Sequence, residues 1–213
     1  MSVARSDTTW TIGAAAPTAL LTGNAELTAE LPGLSEAAGL IGSDQVQNRS
    51  SLGGNLCNAS PAADSVPAMV VNGARAVVVG PSGTRTVLVE DIPTGPGRTS
   101  LAKGELVAEI QVDRPPPRTG DAYLRLIPRT EMDIAVVGAG ARITLDADGR
   151  CTTAAIALGA VAPTVVRVPA AESALVGRAI DDKRGTIAYR RHVAGVLAKR
   201  AVVLAAQRAG GAR

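Results

Sequence analysis

The chain has 213 residues, no Phe, one Trp, two Cys, one His, 22 basic and 19 acidic residues, and a net charge of +3. That length buries one large or two small cores, here of Ala, Val, Leu and Ile. Two distant cysteines (Cys57, Cys151) and a single histidine (His192) argue against a disulfide framework or a protein zinc site. No run approaches about 18 apolar residues and "MSVARSDTTWTIG" lacks an apolar signal core, so the expected protein is cytoplasmic, reduced and without a membrane span.

In chain order, Thr9 to Ile12 reads as a short strand and a helix starts near Pro17. "AELTAELPGLSEAAGLI" is helical on either side of Pro32 and Gly33. A polar stretch, "GSDQVQNRSSLGGNLCNASPAAD", follows. Its part from Ser51 to Asp64 is too polar for a core strand and too rich in breakers for a helix. "SVPAMVVNGA" predicts a short helix with Pro67 in its first turn and Gly73 ending it. "ARAVVVG" and "TRTVLVEDI" form a hairpin around Pro-Ser-Gly. "TGPGRTSLAKGE" is a loop, and "LVAEIQV" alternates as a strand does. "DRPPPRTG" is a linker, because three prolines continue neither regular element.

The second half opens with the strand "AYLRLIPR". "IAVVGAGARITLDADGRCTTAAIALGAV" predicts two long strands joined at "DADG". "AESALVG" is a short helix. Residues 187–208 form the last helix, with Tyr189, Val193, Val196, Leu197, Ala201 and Leu204 at three- and four-residue steps. Arg190, Arg191, Lys199 and Arg208 fall mostly on other faces. The result is an α+β chain in two parts that meet near residues 114–120.

Charge is distributed unevenly. All 19 acidic residues lie at or before Asp182, so residues 1–182, with 14 basic residues, carry −5. The remainder, from Lys183 and Arg184 to Arg213, carries +8. The acidic bulk would repel nucleic acid, and none is expected as a partner. The basic helix reads first as a solvated face on its own sheet, then as a contact for an acidic partner subunit, then as a membrane-surface helix.

The run 51–64 holds the chemistry. Successive backbone N–H groups can converge on an anion, most often phosphate. Gly53 and Gly54 carry no β-carbon to hold a pyrophosphate away and can take positive φ. Ser51 and Asn55 add side-chain donors, and Asp64 suits a sugar hydroxyl better than a phosphate. Taken alone, the run also reads as a Gly-Gly turn with Asn and Ser satisfying local backbone groups. "GAGARI", from Gly138, imitates a dinucleotide fingerprint but precedes a strand and turn, so it reads as a small-residue strand packed against a neighbour. Cys57 reads as an unreactive thiol.

"NRSSLGGNLCNASPAAD" closely resembles the second flavin-binding loop of the FAD-binding medium subunits of molybdenum hydroxylases, the carbon monoxide dehydrogenase and xanthine dehydrogenase family. "WTIGAAAP", "EDIPTGPGRTSLAKGELVAEIQV", "AYLRLIPRTEMDIAVVGAGARITLD", "IALGAVAPTVVR" and "YRRHVAGVLAKRAV" are similar to further segments of that family. The resemblance implies a PCMH-type FAD-binding domain over 1–115, represented by its second subdomain. A CO dehydrogenase flavoprotein C-terminal-type α+β domain follows over 120–213. It implies that Ser51, Leu52, Gly53, Gly54 and Asn55 bind the FAD diphosphate through backbone amides. Asn58 would contact the flavin or its ribityl chain, and Asp64 would hold a sugar hydroxyl. Leu106 would pack near a ring of the cofactor. Arg125 stands where many relatives have Lys, which keeps the charge but changes its shape.

The family's usual first phosphate loop, of the form A-G-G-[T/Q]-[S/D], has no counterpart in this sequence. A helix that relatives carry after the position of Gly177 is also missing. The implied function is electron transfer: an iron–sulfur (2Fe–2S) small subunit reduces this flavin, which passes electrons to NAD+, oxygen or a quinone. A molybdopterin-binding large subunit would hydroxylate substrate. The alternative is a structural or assembly subunit that has lost tight FAD binding. No acid, base or nucleophile is required of this chain.

Overall fold

The computed structural model describes residues 2–129, 132–177 and 189–211, with side chains of the last helix from residue 195 onward. The expectations for Tyr189, Val193, Arg190, Arg191 and His192 concern side chains outside this set, and Lys183, Arg184 and the helix expected to be missing after Gly177 also lie outside it.

A hairpin comes first, β1 (Val3–Arg5) and β2 (Thr9–Gly13). β2 alternates as the sequence predicts, with Trp10 and Ile12 fully buried. Six short helices follow: α1 (Thr18–Thr22), α2 (Ala25–Glu30), α3 (Pro32–Gly39), α4 (Asp44–Gln47), α5 (Leu52–Cys57) and α6 (Ser65–Val71). Asn24 caps α2 by accepting from the Leu27 amide at 3.0 Å, and Pro32 starts α3, where its missing N–H is not needed. The hairpin β3 (Arg75–Gly80) and β4 (Gly83–Leu88) turns at Pro81 and Ser82. A small hairpin, β5 (Pro93–Gly95) with β6 (Arg98–Thr99), occupies part of the expected loop, and β7 (Leu106–Asp113) ends the first half.

After the proline-rich link come β8 (Thr119–Leu126), β9 (Val137–Leu145), β10 (Cys151–Gly159) and β11 (Val166–Arg167), then α7 (Pro169–Leu175) and α8 (Tyr189–Ala209). The first sheet has the order β1-β2-β7-β3-β4 and the second β11-β10-β9-β8; all their pairings are antiparallel. α3 and α6 pack on one face of the second sheet, and α8 packs on the other.

The two halves share a core. One apolar cluster runs from Trp10, Leu34 and Met69 through Ile110 to Tyr123 and Ala157 of the second sheet. Side chains alternate on β8 so that Asp121, Tyr123 and Arg125 face α3 and α6, while Gly120 and Ala122 face α8. β9 is nearly bare toward α6: a β-carbon on Gly140 would lie 2.8 Å from the Pro67 carbonyl oxygen. "GAGARI" is therefore the close-packed small-residue strand that its sequence suggested. Close approach also rules α3, where a β-carbon on Gly33 would lie 2.6 Å from the Ala122 amide nitrogen.

Polar bonds reinforce this junction. The Asp121 carboxylate accepts from the amides of Gly33 (2.9 Å) and Leu34 (3.1 Å) at the start of α3, and from Asn72 Nδ2 (2.7 Å). Arg208 of α8, expected on a solvated face, instead reaches back to Glu36 and donates to the Asp121 carbonyl at 2.8 Å. At the far edge of the first sheet, Glu30 gathers Arg114, Arg5 and the Trp10 indole N–H.

Candidate cofactor site

The glycine-rich segment is helical, against the expectation that its breakers forbid a helix. Ser51 takes extended backbone geometry at the N-cap, and its Oγ accepts from the Gly54 amide at 3.1 Å. Leu52 and Leu56, both fully buried, fix the inner face of α5. Neither glycine uses positive φ. A single capped turn anchored by two leucines offsets the weak helix propensity of Gly53 and Gly54.

The two glycines have different reasons for being there. Gly53 is buried, its amide donates to the Ala14 carbonyl at 3.0 Å, and a β-carbon would lie 2.6 Å from that oxygen. Internal packing therefore demands it. Gly54 is exposed, and an added β-carbon would meet only the Ser51 Oγ, at 3.1 Å. A glycine inside a helix costs about 1 kcal/mol relative to alanine. The contact with the capping Ser51 Oγ is tight, and no other atom closes the outer side of Gly54, which leaves that side of α5 open.

The converging amides expected over 51–55 are largely engaged: Gly53 donates to Ala14, Gly54 to Ser51 Oγ and Asn55 to the Ser51 carbonyl. The segment instead presents a polar stripe at helical spacing, made of Ser51, Gly54, Asn55 and Asn58, all exposed or half-buried. Asn55 Oδ1 also accepts from Ser65 Oγ (2.6 Å) and the Ser65 amide (3.3 Å), which locks α5 to α6. Asn58, exposed, ends the helix.

Asp64 and Arg125, 61 positions apart, come together. Arg125 Nη1 donates to Asp64 Oδ2 at 2.7 Å, with 9% and 12% of the two side chains exposed. Asp64 Oδ1 accepts from the Tyr123 hydroxyl at 2.8 Å. Burial pushes the Asp64 carboxyl up, and the Tyr123 hydrogen bond and the Arg125 charge oppose that. Burial and the neighbouring carboxylate raise the Tyr123 phenol well above the usual tyrosine value, so it stays a donor. The sequence reading singled out Asp64 and Arg125 but missed Tyr123, although its position two residues before Arg125 on an alternating strand was a usable signal. Leu106 stands apart at the start of β7, 58% exposed and opposite Val79 across the ladder.

The other candidates carry no comparable arrangement. Burial raises the thiol pKa of Cys57 and of Cys151, which opposes thiolate reactivity. Among the described residues no group of three or more His, Cys, Asp or Glu side chains could hold a metal, and no helix is long and apolar enough to cross a membrane.

Residues 1–115 match the family model described as the FAD binding domain in molybdopterin dehydrogenase, and residues 122–184 match the CO dehydrogenase flavoprotein C-terminal domain. The chain is 34% identical to the carbon monoxide dehydrogenase medium chain of Afipia carboxidovorans, over 93% of this chain and 75% of that one. It is also 34% identical to the xanthine dehydrogenase FAD-binding subunit of Escherichia coli O157:H7, over 67% of this chain and 49% of the relative. It therefore spans about half the length of that relative. Among solved structures, reconstituted CO dehydrogenase from Oligotropha carboxidovorans superposes with a TM-score of 0.89 at 32% identity, covering 98% of this chain and 79% of that chain. An α+β chain in which these two modules follow one another in this order belongs to the family of FAD-binding subunits of molybdenum-containing dehydrogenases.

Proposed function

We propose that this chain is the flavin-carrying electron-transfer subunit of a molybdenum hydroxylase. In this reading a 2Fe–2S small subunit delivers electrons, a molybdopterin-binding large subunit transforms the substrate, and NAD+, oxygen or a quinone receives the electrons. FAD, when bound, supplies the redox chemistry. The protein's own residues bind and orient it. The outer stripe of α5 (Ser51, Gly54, Asn55 and Asn58) lies against the diphosphate and ribityl region, with Leu52 and Gly53 holding that helix in place. Asp64 accepts a sugar hydroxyl, Arg125 presents positive charge, and Leu106 offers an apolar contact to a ring.

Exposed Gly54 carries the reading, because it leaves the outer stripe of α5 open beside the Ser51 hydroxyl and without a side chain to hold a ligand away. Purified protein should absorb near the ~450 nm flavin band, the spectral property of a bound flavin cofactor. Gly54→Val should abolish flavin retention while leaving the far-UV circular dichroism unchanged. Full flavin occupancy in that variant would remove α5 from the site. A colourless, folded wild-type protein would support an assembly role instead.

A further inference from the structure

We infer that Tyr123 is a positioning residue for the flavin site, and that its phenol holds the Asp64 carboxylate oriented beside Arg125 for a sugar hydroxyl of the cofactor. The inference rests on the flavin reading above and extends it to a residue that touches no ligand.

The geometry is built around that phenol. Tyr123 is 2% exposed, and its hydroxyl donates to Asp64 Oδ1 while Arg125 takes Oδ2. Each carboxylate oxygen therefore has one partner from β8 and keeps lone-pair capacity. Among the described residues no acceptor takes the other guanidinium nitrogens of Arg125, and none of these is sealed from solvent. A second strand makes room for the phenol. Gly138 pairs with Arg125 across β8 and β9, and a β-carbon there would lie 2.4 Å from the Tyr123 oxygen. An alanine would expel the hydroxyl from its place against Asp64.

Without the phenol the carboxylate loses one of two donors in a desolvated position. The groups acting on the Asp64 charge among the described residues are Tyr123 and Arg125. Losing the Tyr123 hydrogen bond raises the Asp64 pKa further, so Asp64 takes up a proton at a higher pH and becomes a weaker acceptor for a ligand hydroxyl.

The test is FAD binding to the full chain, followed by quenching of FAD fluorescence across the acid-to-neutral range. Tyr123→Phe, which removes one oxygen, should weaken binding about tenfold, the effect of losing one hydrogen bond to a charged group. Its acid limb should move to higher pH. Gly138→Ala should also weaken binding by displacing the phenol, and in the double variant the loss should be smaller than the sum of the two single losses, because the 2.4 Å clash with the hydroxyl is gone and only the 3.2 Å contact with the ring remains. Wild-type binding with an unchanged Tyr123→Phe profile, or additive losses in the double variant, would overturn the inference alone. A wild-type chain that binds no FAD would overturn the flavin reading and this inference with it.

Discussion

A carboxylate sealed from water must be compensated by donors, and Asp121 has two helix-start amides and an asparagine. Asp121→Ala leaves the Gly33 and Leu34 amides without an acceptor and Asn72 Nδ2 with the Ala68 carbonyl alone, and should destabilise the protein by about 3 kcal/mol. A urea denaturation midpoint reads this; a loss under about 1 kcal/mol would show that water replaces the carboxylate. Asp121 was legible only as an odd acid in an apolar strand. Its partners, Gly33 and Leu34, lie 88 and 87 positions away, beyond any local pattern. Asp64 and Arg125 were legible through the family motif, but their mutual bond was not, since it requires the register of β8 against α6.

At the level of elements, strands followed from alternation and hairpins from their turns, because both are set by neighbours in sequence. α5 was not legible. Propensity argues against a helix through Gly53 and Gly54, and tertiary anchoring by Leu52 and Leu56 overrides it. α2 shows a different tie. Arg114, with Arg5 and the Trp10 indole, pulls the Glu30 pKa down from 4.5 to about 2. A depressed carboxyl pKa contributes stability that is present above 4.5 and lost as pH falls toward 2. Wild-type melting temperature should therefore drop across that window. Glu30→Gln should start lower and drop less, with Trp10 fluorescence as the local reporter. An unchanged acid limb in the variant would place the acid sensitivity elsewhere, for instance at Glu105, which Arg85 also holds to about 2.

For the whole molecule, the proline-rich link suggested two separable parts, and the sheets do divide there. The core does not, since Tyr123 and Ala157 belong to the cluster that holds Trp10. Unfolding should therefore be a single transition, with Trp10 fluorescence and far-UV circular dichroism coinciding. Two resolved steps would mean that the shared core is weaker than the sheets it joins. Within the basic tail, Arg208 departs from its compositional reading, because it is occupied by Glu36 and the Asp121 carbonyl and is not free for an acidic partner.

Asp64 sits before the proline-rich link, and Arg125 comes after it. A nick between residues 114 and 118 would leave one member of that ion pair on each fragment. With Asp64 and Arg125 at the flavin as proposed, neither fragment could rebuild the site by refolding alone, and recovery of yellow colour on mixing would count the reassembled molecules.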